Sequence, residues 1–170
     1  MSDDVFLAVV SDTHGHAEFA LRAARAIVPF APRVVLHCGD VGGAAIPPIF
    51  AAFDTCYVTG NVDVGDERIV ERAALEHGGR YFGRRGELTI EGRAIAWLHG
   101  EDSATLRDVI DSQRYDLVCS GHTHQVDERR VGKTLVLNPG ALYRARRHTC
   151  AVVELRTMTV AILNCDEFAT

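Results

Sequence analysis

The stretch that decides the fold reads Val118-Cys119-Ser120-Gly121-His122-Thr123-His124, an apolar run followed by two histidines two positions apart. We interpret residues 117–120 as the end of a buried strand, after which Gly121 lets the backbone turn sharply. His122 and His124 then lie on the loop beyond the strand. Neutral imidazole is the commonest nitrogen ligand for zinc, manganese, iron and nickel. Alone, two such histidines are a weak signal for a metal site, and their weight comes from the motifs that precede them in the chain.

Four other apolar runs end in the same way, each in a side chain that can bind a metal and usually beside a glycine. They lead into Asp12-Thr13-His14, Gly39-Asp40, Gly60-Asn61 and His99-Gly100. In open α/β sheets, ligands bind at the carboxyl ends of the strands. The sequence thus predicts one site assembled from the following side chains: Asp12, His14, Asp40, Asn61, His99, His122 and His124.

Length and charge limit the class of protein. A chain of 170 residues is most simply one domain, here residues 1–170. It buries enough surface to fold without stabilising cross-links. The net charge of −5 and a pI of about 5.9 argue against a non-specific binder of nucleic acid or anionic membranes. We therefore expect neither a stable nucleic-acid complex nor membrane association.

The cysteines and the N-terminus indicate the compartment. The five cysteines are odd in number, include no Cys-x-x-Cys pair and lie mostly in apolar runs, which is typical of buried reduced thiols. The start, Met1-Ser2-Asp3-Asp4, is acidic where a signal peptide would be basic, and no apolar run is long enough to span a bilayer. We expect a soluble cytoplasmic protein.

Apolar periodicity predicts alternating strands and helices in the N-terminal part and hairpins in the C-terminal part. Strands are predicted over 5–11, 34–38, 55–59, 87–90, 93–98, 116–120, 125–130, 134–138, 150–155 and 158–163. Helices are predicted over 17–28, 46–53, 68–76 and 103–113, the last with Ser103 as N-cap. Two mixed sheets packed face to face with helices outside fit this pattern, and so does one large sheet with an antiparallel edge.

In order, spacing and placement, these motifs resemble those of the calcineurin-like metallophosphoesterases over nearly the whole chain. The short length and the segment Asn138-Pro139-Gly140-Ala141-Leu142 resemble the small bacterial and archaeal phosphodiesterase branch, the YfcE type. The resemblance implies an α/β (α+β) fold built as a four-layer αββα sandwich. It also implies a dinuclear metal-dependent phosphoesterase, above all a phosphodiesterase, that attacks a small phosphoester with a metal-bridging hydroxide.

The resemblance also implies which side chains hold each ion. The first ion would be held by Asp12, His14, Asp40 and His124. The second ion would be held by Asp40, Asn61, His99 and His122. Asp40 would bridge, one carboxylate oxygen serving each ion. Mixed nitrogen and oxygen donors suit Mn²⁺, Fe, Ni²⁺ or Zn²⁺, and the resemblance favours Mn²⁺. Relatives in this branch are often oligomers, so we expect a homodimer.

Some residues depart from the family or match none of its ligand positions. Many family members carry a histidine, a candidate general acid, where this chain has Val62. The adjacent Asp63 is the only titratable group beside it; it could supply the proton or brace the loop by hydrogen bonds, and we expect bracing. Arg144, Arg146 and Arg147 are interpreted as an exposed loop, or as the source of one arginine for a substrate phosphate. The remaining histidines are expected to be structural or on the surface: His16, His37, His77 and His148.

Other families fit less well. A haloacid-dehalogenase phosphatase needs a second aspartate where this chain has His14. A metallo-β-lactamase needs a denser histidine run than the one ended by Gln125-Val126. No Walker sequence is present, which argues against an NTPase of that kind. The alternative from another class is a non-catalytic metal-binding interaction or scaffold protein of the same fold, like the retromer subunit. That subunit has lost ligand residues, whereas all seven positions are filled here. Cyclic nucleotides, nucleotide derivatives and nucleic-acid ends remain open as substrates.

Overall fold

A computed structural model describes residues 4–169. Within that range the chain forms eleven strands and three α-helices. In chain order they are β1 (Phe6–Val10), α1 (Ala17–Ile27), β2 (Val34–His37), β3 (Thr55–Tyr57), α2 (Glu67–Glu76), β4 (Arg80–Tyr81), β5 (Arg85–Ile90), β6 (Arg93–Leu98), α3 (Ser103–Asp111), β7 (Leu117–Cys119), β8 (Val126–Val131), β9 (Thr134–Pro139), β10 (Thr149–Glu154) and β11 (Thr159–Asn164). No helix between residues 4 and 169 has the length and apolar character needed to cross a membrane.

The strands form two mixed sheets. The first sheet has the order β11-β10-β1-β2-β3-β4, with β1 to β4 parallel and β10 and β11 antiparallel. The second sheet has the order β5-β6-β7-β9-β8, with a parallel centre and antiparallel edges. The alternative of one large sheet is therefore wrong, and the predicted pair of mixed sheets is confirmed.

Alternation along the strands explains the layers. In β1, Ala8 and Val10 pack with helix α1, whereas Leu7 and Val9 face the second sheet. Between the sheets these side chains meet residues such as Trp97, which is fully buried. Helix α3 covers the outer face of the second sheet. Helix, sheet, sheet and helix give the four-layer arrangement that the resemblance implied.

Local details differ from the predictions in three places. The helix predicted over 46–53 is only a 3₁₀ turn, Pro47–Phe50, because two consecutive prolines supply no N–H donors. The N-cap of α3 is Asp102, not Ser103, since the Asp102 carboxylate accepts bonds from the backbone N–H groups of Ala104 and Thr105. The two-residue strand β4 was not predicted, because so short an element has no periodicity.

Candidate metal centre

Parallel pairing brings the five motif loops together. Strands β1 and β2 are in register up to Val10 and His37, and β6 and β7 up to Trp97 and Cys119. Beyond the strands the pairing continues between loops: the Asp12 N–H donates to the Gly39 carbonyl at 3.1 Å. In the second sheet, the Gly121 N–H donates to the His99 carbonyl at 2.9 Å. The ligand loops are thus extensions of the sheets.

Four of the predicted ligands form one half of the centre. Asp12 Oδ1 lies 3.0 Å from His124 Nε2 and 3.6 Å from His14 Nε2. The two imidazole Nε2 atoms are 3.4 Å apart, and Asp40 Oδ2 is 3.5 Å from that of His14. Asp12 and Asp40 are buried, and both histidines are partly buried. These atoms surround one small volume.

The other half contains Asn61, His99, His122 and again Asp40. Asp40 Oδ2 lies 3.1 Å from His99 Nε2, and Asn61 Oδ1 lies 3.1 Å from His122 Nδ1. One oxygen of Asp40, Oδ2, therefore faces both halves, while Oδ1 accepts the Val62 N–H at 3.0 Å. Asp40 is thus the side chain that the two halves share, and the expectation that each of its oxygens serves a different ion stays a prediction.

Two buried atoms of the centre lack a hydrogen-bond partner within residues 4–169: Asp12 Oδ1 and His99 Nε2. Buried polar atoms are rarely left unpaired, because desolvation without a compensating bond costs roughly 1–3 kcal/mol. Both atoms belong to groups of carboxylate and imidazole donors that lie within 4.8 Å of one another. Divalent metal ions fit this donor set, since they would satisfy both atoms at once.

Hydrogen bonds on the far side of the rings fix which nitrogen faces the centre. His99 Nδ1 donates to the Cys38 carbonyl at 2.8 Å, and His124 Nδ1 donates to the Arg144 carbonyl at 3.2 Å. Because a carbonyl only accepts, each Nδ1 carries the proton and each Nε2 is left free. Such outer bonds set the tautomer and orientation of metal-binding histidines.

The electrostatics of the centre favour a cation between the carboxylates. Burial opposes ionisation of Asp12, but the nearby imidazole of His14, the hydrogen bond from Ser11 and the imidazoles of His99 and His124 lower its pKa. Burial likewise opposes the charged form of His99, yet Asp40 and Asp12 raise its pKa above the ordinary value. Two ionised carboxylates therefore stabilise positive charge placed beside them. Protons and metal ions would compete for these groups.

Backbone strain is concentrated at the same residues. Left-handed φ angles of 47° to 69° occur at five predicted ligands: Asp12, His14, Asp40, His122 and His124. This region is unfavourable for residues with a Cβ, and such conformations cluster at functional sites. The sheets hold these loops in a conformation that local preference disfavours.

Gly60 and Gly121 lie where any side chain would collide with the ligand loops. A Cβ on Gly121 would lie 2.0 Å from Ser11 Oγ, and one on Gly60 would lie 2.2 Å from Asp40 Oδ1. Gly121 has no left-handed φ, so the reason given for it from the sequence is wrong. Its missing side chain makes room for the Asp12 loop.

Sequence reasoning missed the part played by His37. This residue is buried, and burial lowers its pKa to about 3, so it is neutral. Its Nδ1 accepts the Gly39 N–H at 3.2 Å, and its Nε2 donates to Thr13 Oγ1 at 2.9 Å. Thr13 in turn donates to the Val41 carbonyl. His37 thus connects the loop after β1 to the loop after β2.

Two further residues hold the loops in place. Asp63 is buried, and its carboxylate accepts the N–H groups of Val41, Gly42 and Gly60, which confirms its predicted bracing role. Asn138 donates to the Gly121 carbonyl at 2.8 Å and to Thr123 Oγ1.

The other residues singled out in the sequence lie at the rim or outside the centre. Val62 is 42% exposed, so a substrate can approach it. Arg144, Arg146 and Arg147 follow β9 on an exposed stretch. Of the remaining histidines, His16 is exposed, His77 ends α2, and His148 pairs with Asp166 at 2.6 Å.

All five cysteines are buried and free, as expected of core thiols. They are Cys38, Cys56, Cys119, Cys150 and Cys165. None of them lies among the atoms that face the centre.

The family of the chain follows from a comparison with known proteins. Residues 5–158 match the model of the calcineurin-like phosphoesterase superfamily domain. The chain belongs to this superfamily. It is a metal-dependent phosphoesterase, and its family implies divalent metal ions, in agreement with the donor groups described above.

Individual relatives agree with this assignment. Phosphodiesterase MJ0936 of Methanocaldococcus jannaschii is 26% identical over 148 residues, covering 79% of this chain and 82% of the relative. The structure of an archaeal phosphodiesterase superposes with a TM-score of 0.82 at 22% identity, covering 94% and 99% of the two chains. YfcE, a phosphoesterase from E. coli, gives 0.64 at 15% identity, covering 95% and 100%. At these identities the two structures establish a shared fold.

Proposed function

We propose that this phosphoesterase is a dinuclear phosphodiesterase whose two ions are held by the seven predicted ligands. The observation that carries the proposal is the pair of unpaired buried atoms, Asp12 Oδ1 and His99 Nε2, which face the same volume from opposite sheets. Two divalent ions bound there would supply a hydroxide nucleophile near neutral pH and neutralise charge on the phosphoryl oxygens. Mn²⁺ is the proposed metal.

The chain's own residues prepare the site for such ions. Asp40 Oδ2 lies between His14 and His99, so one carboxylate joins the two halves. The Val62 N–H keeps Asp40 turned toward both histidines by holding its other oxygen. Since His99 and His124 have their Nδ1 protons bonded to carbonyls, their Nε2 lone pairs are directed inward.

Preference for a diester agrees with the printed name of the relative from Methanocaldococcus jannaschii, a phosphodiesterase. The rim supplies no general acid at Val62, because its side chain is apolar. A good leaving group such as a phenolate departs without a proton, whereas an alkoxide needs one. General-acid assistance is worth about 10²–10⁴-fold, so aryl diesters should be cleaved much faster than alkyl diesters.

The test begins with protein stripped of metal and reloaded with Mn²⁺, Fe²⁺, Ni²⁺ or Zn²⁺. We expect two ions per chain and hydrolysis of bis(4-nitrophenyl) phosphate, fastest with Mn²⁺. Rates across diesters of graded leaving-group pKa should fall steeply in the wild type and less steeply in Val62→His. A flat dependence in the wild type would mean that another residue donates the proton.

The alternative function is a metal-binding scaffold of the same fold. Bound metal without turnover after loading would favour it over the phosphodiesterase. We also propose a cytoplasmic location and a homodimer. Light scattering that shows a concentration-independent monomer would contradict the dimer.

A further inference from the structure

The segment of residues 143–147, here called the rim segment, is attached directly to the metal centre. The backbone carbonyl of Arg144 accepts the Nδ1 proton of His124 at 3.2 Å. Just before it, the Leu142 N–H donates to the Ser11 carbonyl, next to Asp12. The rim segment is therefore fixed to two of the motif loops, and its side chains stand beside the first half of the centre.

An aromatic pair lies where the rim segment meets the centre. The ring of Tyr143 is 5.9 Å from that of His14 and stacks on His16 at 3.5 Å, with 16° between the planes. Tyr143 is half-buried and His16 is exposed, so the pair presents flat aromatic surface to solvent. The bonds that hold the seven predicted ligands do not involve either side chain.

The rim segment also carries positive charge that no carboxylate neutralises. Within residues 4–169, neither Arg144, Arg146 nor Arg147 forms an ion pair, although other exposed arginines do, for example Arg80 with Asp54. The guanidinium carbon of Arg144 lies 5.7 Å from the centre of the Tyr143 ring. A cationic patch with flat rings is thus exposed beside the carboxylates and imidazoles of the centre.

We infer that the rim segment binds the nucleoside part of the substrate, which makes this enzyme selective for nucleotide phosphodiesters. The inference rests on the proposed phosphodiesterase function. With phosphorus at the metal centre, a base on the ester group would stack on the Tyr143–His16 pair, and the arginines would attract the anion. Stacking of a base on an aromatic side chain contributes about 1–3 kcal/mol, which corresponds to about five- to 150-fold in binding.

Two esters with the same leaving group test the inference. Thymidine 5′-(4-nitrophenyl phosphate) and methyl 4-nitrophenyl phosphate differ only in the nucleoside. For the Mn²⁺-loaded wild type we expect kcat/KM to be at least about tenfold higher for the nucleoside ester. Tyr143→Leu, which keeps apolar bulk but loses the flat ring, should bring this ratio close to one, mainly through KM. His16→Ala should lower the ratio in the same direction.

The matched control is Tyr81→Leu, since Tyr81 is also half-buried but lies on β4, outside the centre. Its ratio should equal that of the wild type. Equal kcat/KM for the two esters in the wild type, or an unchanged ratio in Tyr143→Leu, would overturn the inference.

If neither ester is hydrolysed, the proposed function fails, and binding then decides the inference separately. Equilibrium dialysis with thymidine 5′-monophosphate should show binding to the wild type that Tyr143→Leu weakens about tenfold. Equal binding by both proteins, or none by the wild type, would refute nucleoside recognition by the rim segment.

Discussion

The two sheets contribute different donor atoms to the proposed metal centre. The first sheet provides all the oxygen donors and one imidazole, from the loops after β1, β2 and β3: Asp12, His14, Asp40 and Asn61. The second sheet provides imidazoles only, from the loops after β6 and β7: His99, His122 and His124. Neither sheet has a complete set for either half. The centre therefore exists only where the sheets pack together.

The difference extends to how each sheet holds its donors. The carboxylates of the first sheet are buried and held by backbone N–H groups, as Asp40 is by Val62. The imidazoles of His99 and His124 donate to backbone carbonyls. The carboxylates are thus fixed by backbone N–H donors, and these imidazoles are fixed by backbone carbonyl acceptors. In both cases the atoms that face the centre are left available.

The largest effect is expected for Asp40→Asn, because Asp40 Oδ2 is the atom that both sheets share at the centre. Both ions should bind poorly, and kcat/KM should fall about a thousandfold or more, since metal stabilisation of the transition state is worth several kcal/mol. Elemental analysis and diester hydrolysis measure the two losses. A crystal structure of this variant with two fully occupied, normally bridged ions would contradict the assignment.

Removing one imidazole at a time, first from one half and then from the other, should show that the two ions are bound by different side chains. His124→Ala should weaken mainly the first ion and His122→Ala mainly the second, because these side chains lie in different halves. Loss of an outer-shell partner costs about 10–100-fold in metal affinity, and loss of a ligand should cost more. Titration calorimetry with Mn²⁺ should give one tight site for each variant. Loss of the same ion from both would invalidate the division into halves.

The dependence on sheet packing can be tested with two isoleucines. Ile95 lies between the sheets, and Ile110 lies between α3 and the second sheet. Ile95→Ala and Ile110→Ala should each lower the free energy of unfolding by about 2–5 kcal/mol. Only Ile95→Ala should also raise the Kd for Mn²⁺, about tenfold, because it alone changes the spacing between oxygen and nitrogen donors. Equal metal affinity in both variants would argue against this dependence.

A smaller effect concerns His37, which joins two loops of the first sheet. Its pKa is about 3 in the folded chain against an ordinary value of 6.5, so between these pH values the unfolded chain binds the extra proton. Its contribution is present above pH 6.5, and stability falls by up to about 1.4 kcal/mol per pH unit as the pH falls toward 3. Denaturant unfolding of metal-free protein should show a shallower pH dependence in His37→Gln than in the wild type.

The control for this measurement is His77→Gln, since His77 lies at the end of α2, outside the network of His37. It should keep the wild-type pH dependence. If His37→Gln and the wild type lose stability in parallel below pH 6.5, then His37 is protonated in the folded chain and its buried, neutral state is refuted.

The sequence by itself predicted most of the strands and helices in their order, and the seven candidate site residues. Buried strands appear as short apolar runs, and each motif begins where such a run ends, so strand ends and ligands could be found together. The hairpin at Glu91-Gly92 was predictable for a similar reason, because turn chemistry is local. These features depend on neighbouring residues only.

Only the tertiary structure decided what depends on residues far apart in the chain. The choice between one sheet and two, the single Asp40 oxygen that faces both halves, and the space that Gly121 leaves for Ser11 all arise from packing between loops. The network of His37 belongs to the same class, since its partner Thr13 lies on another strand's loop. Neither periodicity nor a local motif can predict such contacts, because the burial of a side chain and its hydrogen-bond partners are set only in the folded chain.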